Sequence, residues 1–322
     1  MASSVVRYGL RMRETFSVVN QDVAQWFPGH MAKGLNQMQR KLKSVDCIVE
    51  VHDARIPISG RNPLFERTLS AIKPHVLVLN KMDLADLRHR NSIVKHHTKE
   101  GIKHVIFTNC KRPESRGIKS IIPTVAEMIK NTERYNRSEE TVYQLMVIGV
   151  PNVGKSSLIN ALRAKYLRKS KATQVGGLPG ITQSVLEKIK VCEDPKVYLL
   201  DTPGVLAPKI RDVETGLKLA LAATIKDHLV GEENIADYLL YRLNKNGNHS
   251  YVKYLNLEEP TDNIRQLLGL AAVNNGWKRK VRTQSGTQVI PDLQLSASKF
   301  IKGFRMGVFG PMILDDLENM KD

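Results

Sequence analysis

The chain has 322 residues, 42% hydrophobic and 25% charged, enough for a sizeable core and two domains. Lys and Arg outnumber Asp and Glu by 49 to 32, a formal net charge of +17, which favours a polyanionic partner, either nucleic acid or an anionic membrane surface. Cys47, Cys110 and Cys192 lie far apart with no C-x-x-C pair, which argues against zinc and a disulfide framework, and no apolar run reaches the roughly 18–20 residues of a membrane span.

The N-terminal stretch MASSVVRYGLRMRETFSVVN carries Arg7, Arg11 and Arg13 among serines and apolar residues, with Glu14 its one acid. Arg-rich, Ser-bearing and acid-poor, residues 1–22 read as a mitochondrial presequence, with a disordered tail as the alternative. WFPGHMAKG (26–34) follows, then the basic KGLNQMQRKLK (33–43).

Short, β-branched runs then predict buried strands at 46–54, 75–81, 104–109, 143–150 and 197–203. Helical stretches such as GIKSIIPTVAEMIKN and GKSSLINALRAKYLRK separate most of them, which predicts a mostly parallel sheet with helices on both faces. SVLEKIKV (184–191) alternates apolar and charged residues and reads as an edge strand. After Pro208 the apolar spacing turns helical and no buried strand is expected, so 23–208 is read as an α/β domain and 209–322 as a small α-helical domain. Residues 206–322 hold sixteen Lys and Arg against fourteen Asp and Glu, so most of the excess charge lies earlier; KRKVR (278–282) is a late exception.

GVPNVGKSS has the G-x-x-x-x-G-K-[ST] spacing, between a predicted strand and a predicted helix, as a phosphate-binding loop requires. Asn152, Val153, Gly154, Lys155, Ser156 and Ser157 would wrap phosphates, Lys155 reaching the β- and γ-phosphates and Ser156 binding Mg²⁺. Asp201 of LLDTPG ends a strand and would face the same Mg²⁺, while Gly204 frees a backbone N–H for the γ-phosphate. In GGLPGITQ, a loop expected to order with the nucleotide, Thr182 is the candidate to meet Mg²⁺ and the γ-phosphate.

Asn80-Lys81-Met82-Asp83 ends another strand and suits guanine. Asp83 can accept from guanine N1–H and N2–H₂, Asn80 can tie loops together, and the Lys81 stem can cover the ring. Thr108 and Asn109 of FTNC stand where a loop over the base is expected. This base reader lies ahead of the phosphate loop, the reverse of the usual order. Domain termini lie at the surface and often close together, so joining old ends and opening the chain after the second switch, LLDTPG (199–204), gives the observed order.

With WFPGHMAKG, DARIP, NKMD, GVPNVGKSSLIN, GGLPGIT and DTPGVL, the chain from Trp26 onward resembles the circularly permuted GTPases of the YlqF/RbgA family, ribosome assembly factors. The fold class so implied is a circularly permuted P-loop GTPase domain followed by a helical domain. The resemblance implies GTP hydrolysis with Mg²⁺, a large ribosomal subunit and its rRNA as partner, and, for a mitochondrial member, a place at the matrix face of the inner membrane. No DNA partner is expected. Val205 and Leu206 stand where a water-orienting Gln is usual, so the resemblance moves that role to His30, and it gives Asn152 a potassium ion to hold. RAKYLRKSK (163–171) suits contacts with RNA phosphates. Alternatives are a related factor of a cytosolic or bacterial-type ribosome, a membrane-associated signalling GTPase, and a small-molecule P-loop enzyme; NKMD opposes the last.

Overall fold

The computed structural model describes residues 12–17, 36, 38–65, 73–134, 139–169, 188–205, 210, 212–284 and 286–317. The chain divides into two compact units, one made of Asp22–Leu229 with Pro311–Asp322, the other of Met1–Gln21 with Val230–Gly310.

The first unit is built on six strands: β1 (Cys47–Asp53), β2 (His75–Asn80), β3 (Val105–Phe107), β4 (Val142–Ile148), β5 (Lys188–Cys192) and β6 (Lys196–Leu200). Their order across the sheet is β3-β2-β1-β4-β6-β5. All pairings are parallel except β5 with β6. All seven residues of β1 are buried, as an interior parallel strand requires. β1 pairs with β2 on one side, Ile48–Asp53 against His75–Asn80, and with β4 on the other. Parallel pairing points β2 and β4 the same way, so Asn80 and Gly149 emerge at the same edge of the sheet although the sequence separates them widely.

Helices α1 (Arg90–Lys99), α2 (Arg116–Lys130), α3 (Lys155–Leu167) and α4 (Val213–Leu221) belong to this unit. Leu77 and Leu79 of β2 cluster with Ile93 of α1 and with Ile313 and Leu317 from the chain's far end. That returning segment is fastened by backbone bonds, Met312 N–H to the Leu84 carbonyl at 3.0 Å and Leu314 N–H to the Arg55 carbonyl at 2.8 Å. Asp315 also accepts from the Ile58 and Ser59 backbone N–H groups and from the Ser59 hydroxyl. The expected division at 208 therefore differs from the compact units: α4 and the 311–317 segment both belong with the sheet.

The second unit holds α5 (Glu232–Lys245), α6 (Ser250–Tyr254), α7 (Ile264–Asn274) and α8 (Leu293–Met306). Asn263 and Asp292 cap α7 and α8 through their side-chain oxygens. In its core Tyr251 packs edge-on to Phe300, which lies tilted against Phe309. One element departs from the all-helical expectation: β7 (Lys278–Thr283) and β8 (Gly286–Pro291) form an antiparallel hairpin. Its sequence hid it, because both strands are largely exposed and lack the apolar alternation of a half-buried strand.

Residues 12–17 also belong to this second unit. Within the expected leader 1–22, Arg13 and Phe16 pack against this unit.

Candidate functional site

The loop after β4 turns on two glycines that side chains would obstruct. Gly149 has φ +148 and a Cβ there would lie 2.2 Å from the Val51 carbonyl oxygen; Gly154 has φ +101 and its Cβ would lie 2.3 Å from Asn80 Nδ2. The chain then enters α3 at Lys155. The Lys155 ammonium is buried and donates to the Gly149 and Val150 carbonyls at 3.1 and 2.9 Å. Burial lowers its pKa to about 8, against the opposing pull of Asp201. Ser156 Oγ donates to Asp201 Oδ2 at 3.2 Å, while Asp201 Oδ1 is buried with no hydrogen-bond partner among the described residues. Burial raises the Asp201 pKa, against the Lys155 charge and the Ser156 hydroxyl. Asn152 sits in the left-handed region at φ 59 and donates through Nδ2 to the Ala223 carbonyl at 2.8 Å.

Asn80 connects this loop to the base-reading segment. Its Nδ2 donates to the Val153 carbonyl at 2.9 Å, and its Oδ1 accepts from Thr108 Oγ1 and from the Cys110 backbone N–H, each at 3.2 Å. A single amide thus joins three loops that leave β2, β3 and β4. Lys81 takes φ 59, and its ammonium lies 2.9 Å from the buried Asp53 carboxylate. Met82 N–H donates to the Thr108 carbonyl at 3.0 Å. Asp83 is partly exposed, 3.6 Å from the Lys111 ammonium, so its carboxylate is available to a ligand. Asn109 Oδ1 accepts from the Lys111 N–H at 2.9 Å within its own loop. The neighbouring Cys110 N–H was missed because a backbone donor carries no side-chain signature.

The second switch closes on the phosphate loop. Thr202 Oγ1 donates to the Val147 carbonyl at 2.6 Å, and Val205 N–H to the Gly149 carbonyl at 3.3 Å. A Cβ at Gly204 would meet the Pro151 backbone at 2.7 Å. Val205 is buried, and its carbonyl accepts from Asn62 Nδ2 at 3.1 Å. The residue after the switch glycine is therefore part of the core and offers no polar group to a water. DARIPISGRNP supplies Asp53 beneath Lys81 and Asn62 beneath the switch. His30 and Thr182 lie outside the described residues.

The family model described as 50S ribosome-binding GTPase matches residues 144–266. It begins at β4 and leaves the NKMD strand unmatched, as a match in the usual motif order does on a permuted chain. Over 307 residues the chain is 56% identical to mitochondrial ribosome-associated GTPase 1 of Bos taurus, covering 94% of this chain and 92% of that protein. The protein of the same name from Xenopus tropicalis is 51% identical over 314 residues, covering 96% and 100%. The chain belongs to the mitochondrial ribosome-associated GTPase 1 family. Among solved structures, GNP-bound YlqF from T. maritima aligns with a TM-score of 0.56 at 21% identity, covering 89% of this chain and 99% of that one. That likeness shows the circularly permuted GTPase fold expected from the motif order.

The donor set of this family member fits a hard divalent cation. Asp201 Oδ1 has no hydrogen-bond partner among the described residues, and Ser156 Oγ stands beside the same carboxylate. Potassium would need an oxygen of Asn152, whose amide nitrogen is already engaged with Ala223.

The lowered Lys155 pKa gives a signed prediction. Phosphates favour the charged ammonium, so binding raises its pKa and takes up a proton once the free site has lost one. Nucleotide affinity is therefore expected to fall as pH rises through about 8, by up to about tenfold per unit. Calorimetric GDP titrations between about pH 7 and 9 in saturating Mg²⁺ check this; a flat profile contradicts it.

Proposed function

We propose that this GTPase binds GTP across the edge where β2 and β4 end, hydrolyses it, and acts on the large subunit of the mitochondrial ribosome. The observation that carries the nucleotide site is the Asn80–Val153 hydrogen bond, which links the base-reading segment to the phosphate loop. Asp83 then reads guanine N1–H and N2–H₂, with Lys81 held by Asp53 along the ring. Lys155 exchanges the Gly149 and Val150 carbonyls for phosphate oxygens, and the Gly204 N–H faces the γ-phosphate. Ser156, Asp201 and Thr182 are the residues that would hold Mg²⁺, which neutralises phosphate charge when bound. With Val205 in the core, orientation of the attacking water falls to His30, and Asn152 is the residue to hold K⁺.

An rRNA partner draws support from the β7–β8 hairpin. Lys278, Lys280 and Arg282 alternate along β7 and so share one face, about 6.6 Å apart. Residues 278–291 contain no acid, and among the described residues none of these three cations has an ion-pair partner. Cations so spaced suit a phosphate backbone. The basic stretch 163–171 is partly committed elsewhere: Arg163 donates to the Lys190 carbonyl and Lys165 pairs with Glu114. The relatives' names support a mitochondrial location; a peripheral contact with the matrix face of the inner membrane rests on basic charge alone, and no helix among the described residues is long and apolar enough to cross a membrane.

Sedimentation with mitochondrial large subunits tests this reading. More chain is expected to co-sediment with a non-hydrolysable GTP analogue than with GDP, and large subunits are expected to stimulate phosphate release. His30→Ala is expected to abolish that stimulation while keeping GDP affinity, and replacing K⁺ by Na⁺ to slow turnover. Equal sedimentation in both nucleotide states, with no stimulation, contradicts the ribosomal role.

A further inference from the structure

The segment 12–17 is joined to the helical unit by contacts that a removable leader has no reason to make. The Arg13 guanidinium forks onto Asp237 of α5, Nη1 to Oδ2 at 3.1 Å and Nη2 to Oδ1 at 2.7 Å. Its Nε and its backbone N–H both donate to Asp262, just before α7, at 3.1 and 2.5 Å. One arginine thus spans two carboxylates on separate elements. Tyr241 Oη donates to the Glu14 carbonyl at 3.1 Å. Phe16 packs edge-on to Tyr238, ring centres 5.2 Å apart, and lies 5.4 Å from the Tyr241 ring. Beneath it Tyr238 is fully buried and Tyr241 is 5% exposed.

Each contact has a counterpart cost if the segment is lost. Asp237 and Asp262 would face each other's charge without the guanidinium between them. Asp262 would keep Asn244 Nδ2 as a donor, at 3.2 Å, but no cation among the described residues. Two tyrosine rings would gain solvent exposure on one patch, the kind of surface that folded chains cover.

We infer that residues 12–17 are a permanent strap of the mature protein: Asp237, Asp262, Tyr238 and Tyr241 form its docking surface, and any processing of the N-terminal leader stops upstream of Met12. The arginine-rich stretch that targets the chain is then confined to the first eleven residues. Arg13 is kept for structure while Arg7 and Arg11 serve as presequence charge. The bidentate fork is a geometry that lysine cannot reproduce, which explains arginine at this position on physical grounds.

The test uses the full chain and two readouts. Mass spectrometry of the protein recovered from mitochondria is expected to place its first residue at or before Met12. In a double-mutant cycle by chemical denaturation, Arg13→Ala and Asp237→Asn are each expected to shift the unfolding equilibrium of the helical unit, with a coupling of roughly five- to tenfold between them. Arg13→Lys is expected to recover only part of that coupling. A first residue after Met12, or strictly additive effects in the cycle, overturns the inference. The leader assignment belongs to the mitochondrial reading and can fail separately: a chain recovered untrimmed removes the leader, and the cycle then decides the strap.

Discussion

Asp83→Asn is expected to weaken GTP and GDP binding on the order of 10⁴-fold and to turn the preference toward xanthosine nucleotides. A carboxylate offers two acceptors, matching the N1–H and N2–H₂ donors of guanine. An amide offers one acceptor and one donor, so one of the two guanine hydrogens would face another hydrogen. Xanthine carries a carbonyl in place of the 2-amino group, and the new amide can donate to it. The fold is expected to be unaffected, because Asp83 is partly exposed and its described ion-pair partner is Lys111 at 3.6 Å. Its loss from that pair is worth little in water, so thermal stability should stay within about 0.5 kcal/mol of wild type. Equilibrium titration with labelled GDP and XDP reads the switch directly. Unchanged GDP affinity would place the base elsewhere and remove Asp83 from the site.

What the sequence revealed follows from how each element is stabilised. β1, β2, β4 and β6 were legible because interior parallel strands bury both faces, which leaves runs such as HVLVLN in the sequence. The phosphate loop was legible because its backbone demands glycines at fixed spacing, and Gly149 and Gly154 both take positive φ. Reversed motif order was no obstacle, since β1 lies between β2 and β4 whichever way the chain is cut. Features that depend on distant partners were hidden. Asn62 looks like an ordinary loop polar residue, and Asp53 like a plain strand-end carboxylate, until Val205 and Lys81 are brought to them. The segment at 311–317 is too short to show a period, and its place is set by Leu84 and Arg55. The β7–β8 hairpin carries charge where a strand pattern would show alternation. Arg13 served as evidence for a presequence by composition, yet its geometry is that of a structural arginine with two carboxylate partners.

Replacing Asp53 should have the largest effect on stability. The carboxylate is fully buried at the end of β1 and accepts from Arg55 Nε at 2.9 Å, Arg55 Nη2 at 2.7 Å and the Arg55 backbone N–H at 3.1 Å. Lys81 Nζ approaches the same group at 2.9 Å. Burial alone would push its pKa up; the Arg55 and Lys81 charges outweigh that and hold it well below the usual carboxylate range. A depressed folded pKa contributes stability that is complete above the unfolded value of about 3.9 and is lost as pH falls through the folded one. This contribution is therefore present at neutral pH and should fade only under strongly acidic conditions. Asp53→Ala leaves the Arg55 guanidinium buried without its carboxylate, so a loss of about 3–5 kcal/mol is expected in urea or thermal unfolding. Asp53→Ala/Arg55→Met is expected to recover most of that loss, because an apolar side chain of similar volume carries no desolvation penalty. Nucleotide affinity is expected not to recover in the double variant, since Lys81 is still released from Asp53 and no longer held for the base. The two readouts separate the roles: stability follows the Asp53–Arg55 pair, and GDP affinity follows the Asp53–Lys81 pair. If Asp53→Ala unfolds within about 1 kcal/mol of wild type, or if GDP affinity returns with stability in the double variant, Asp53 does not position the base reader.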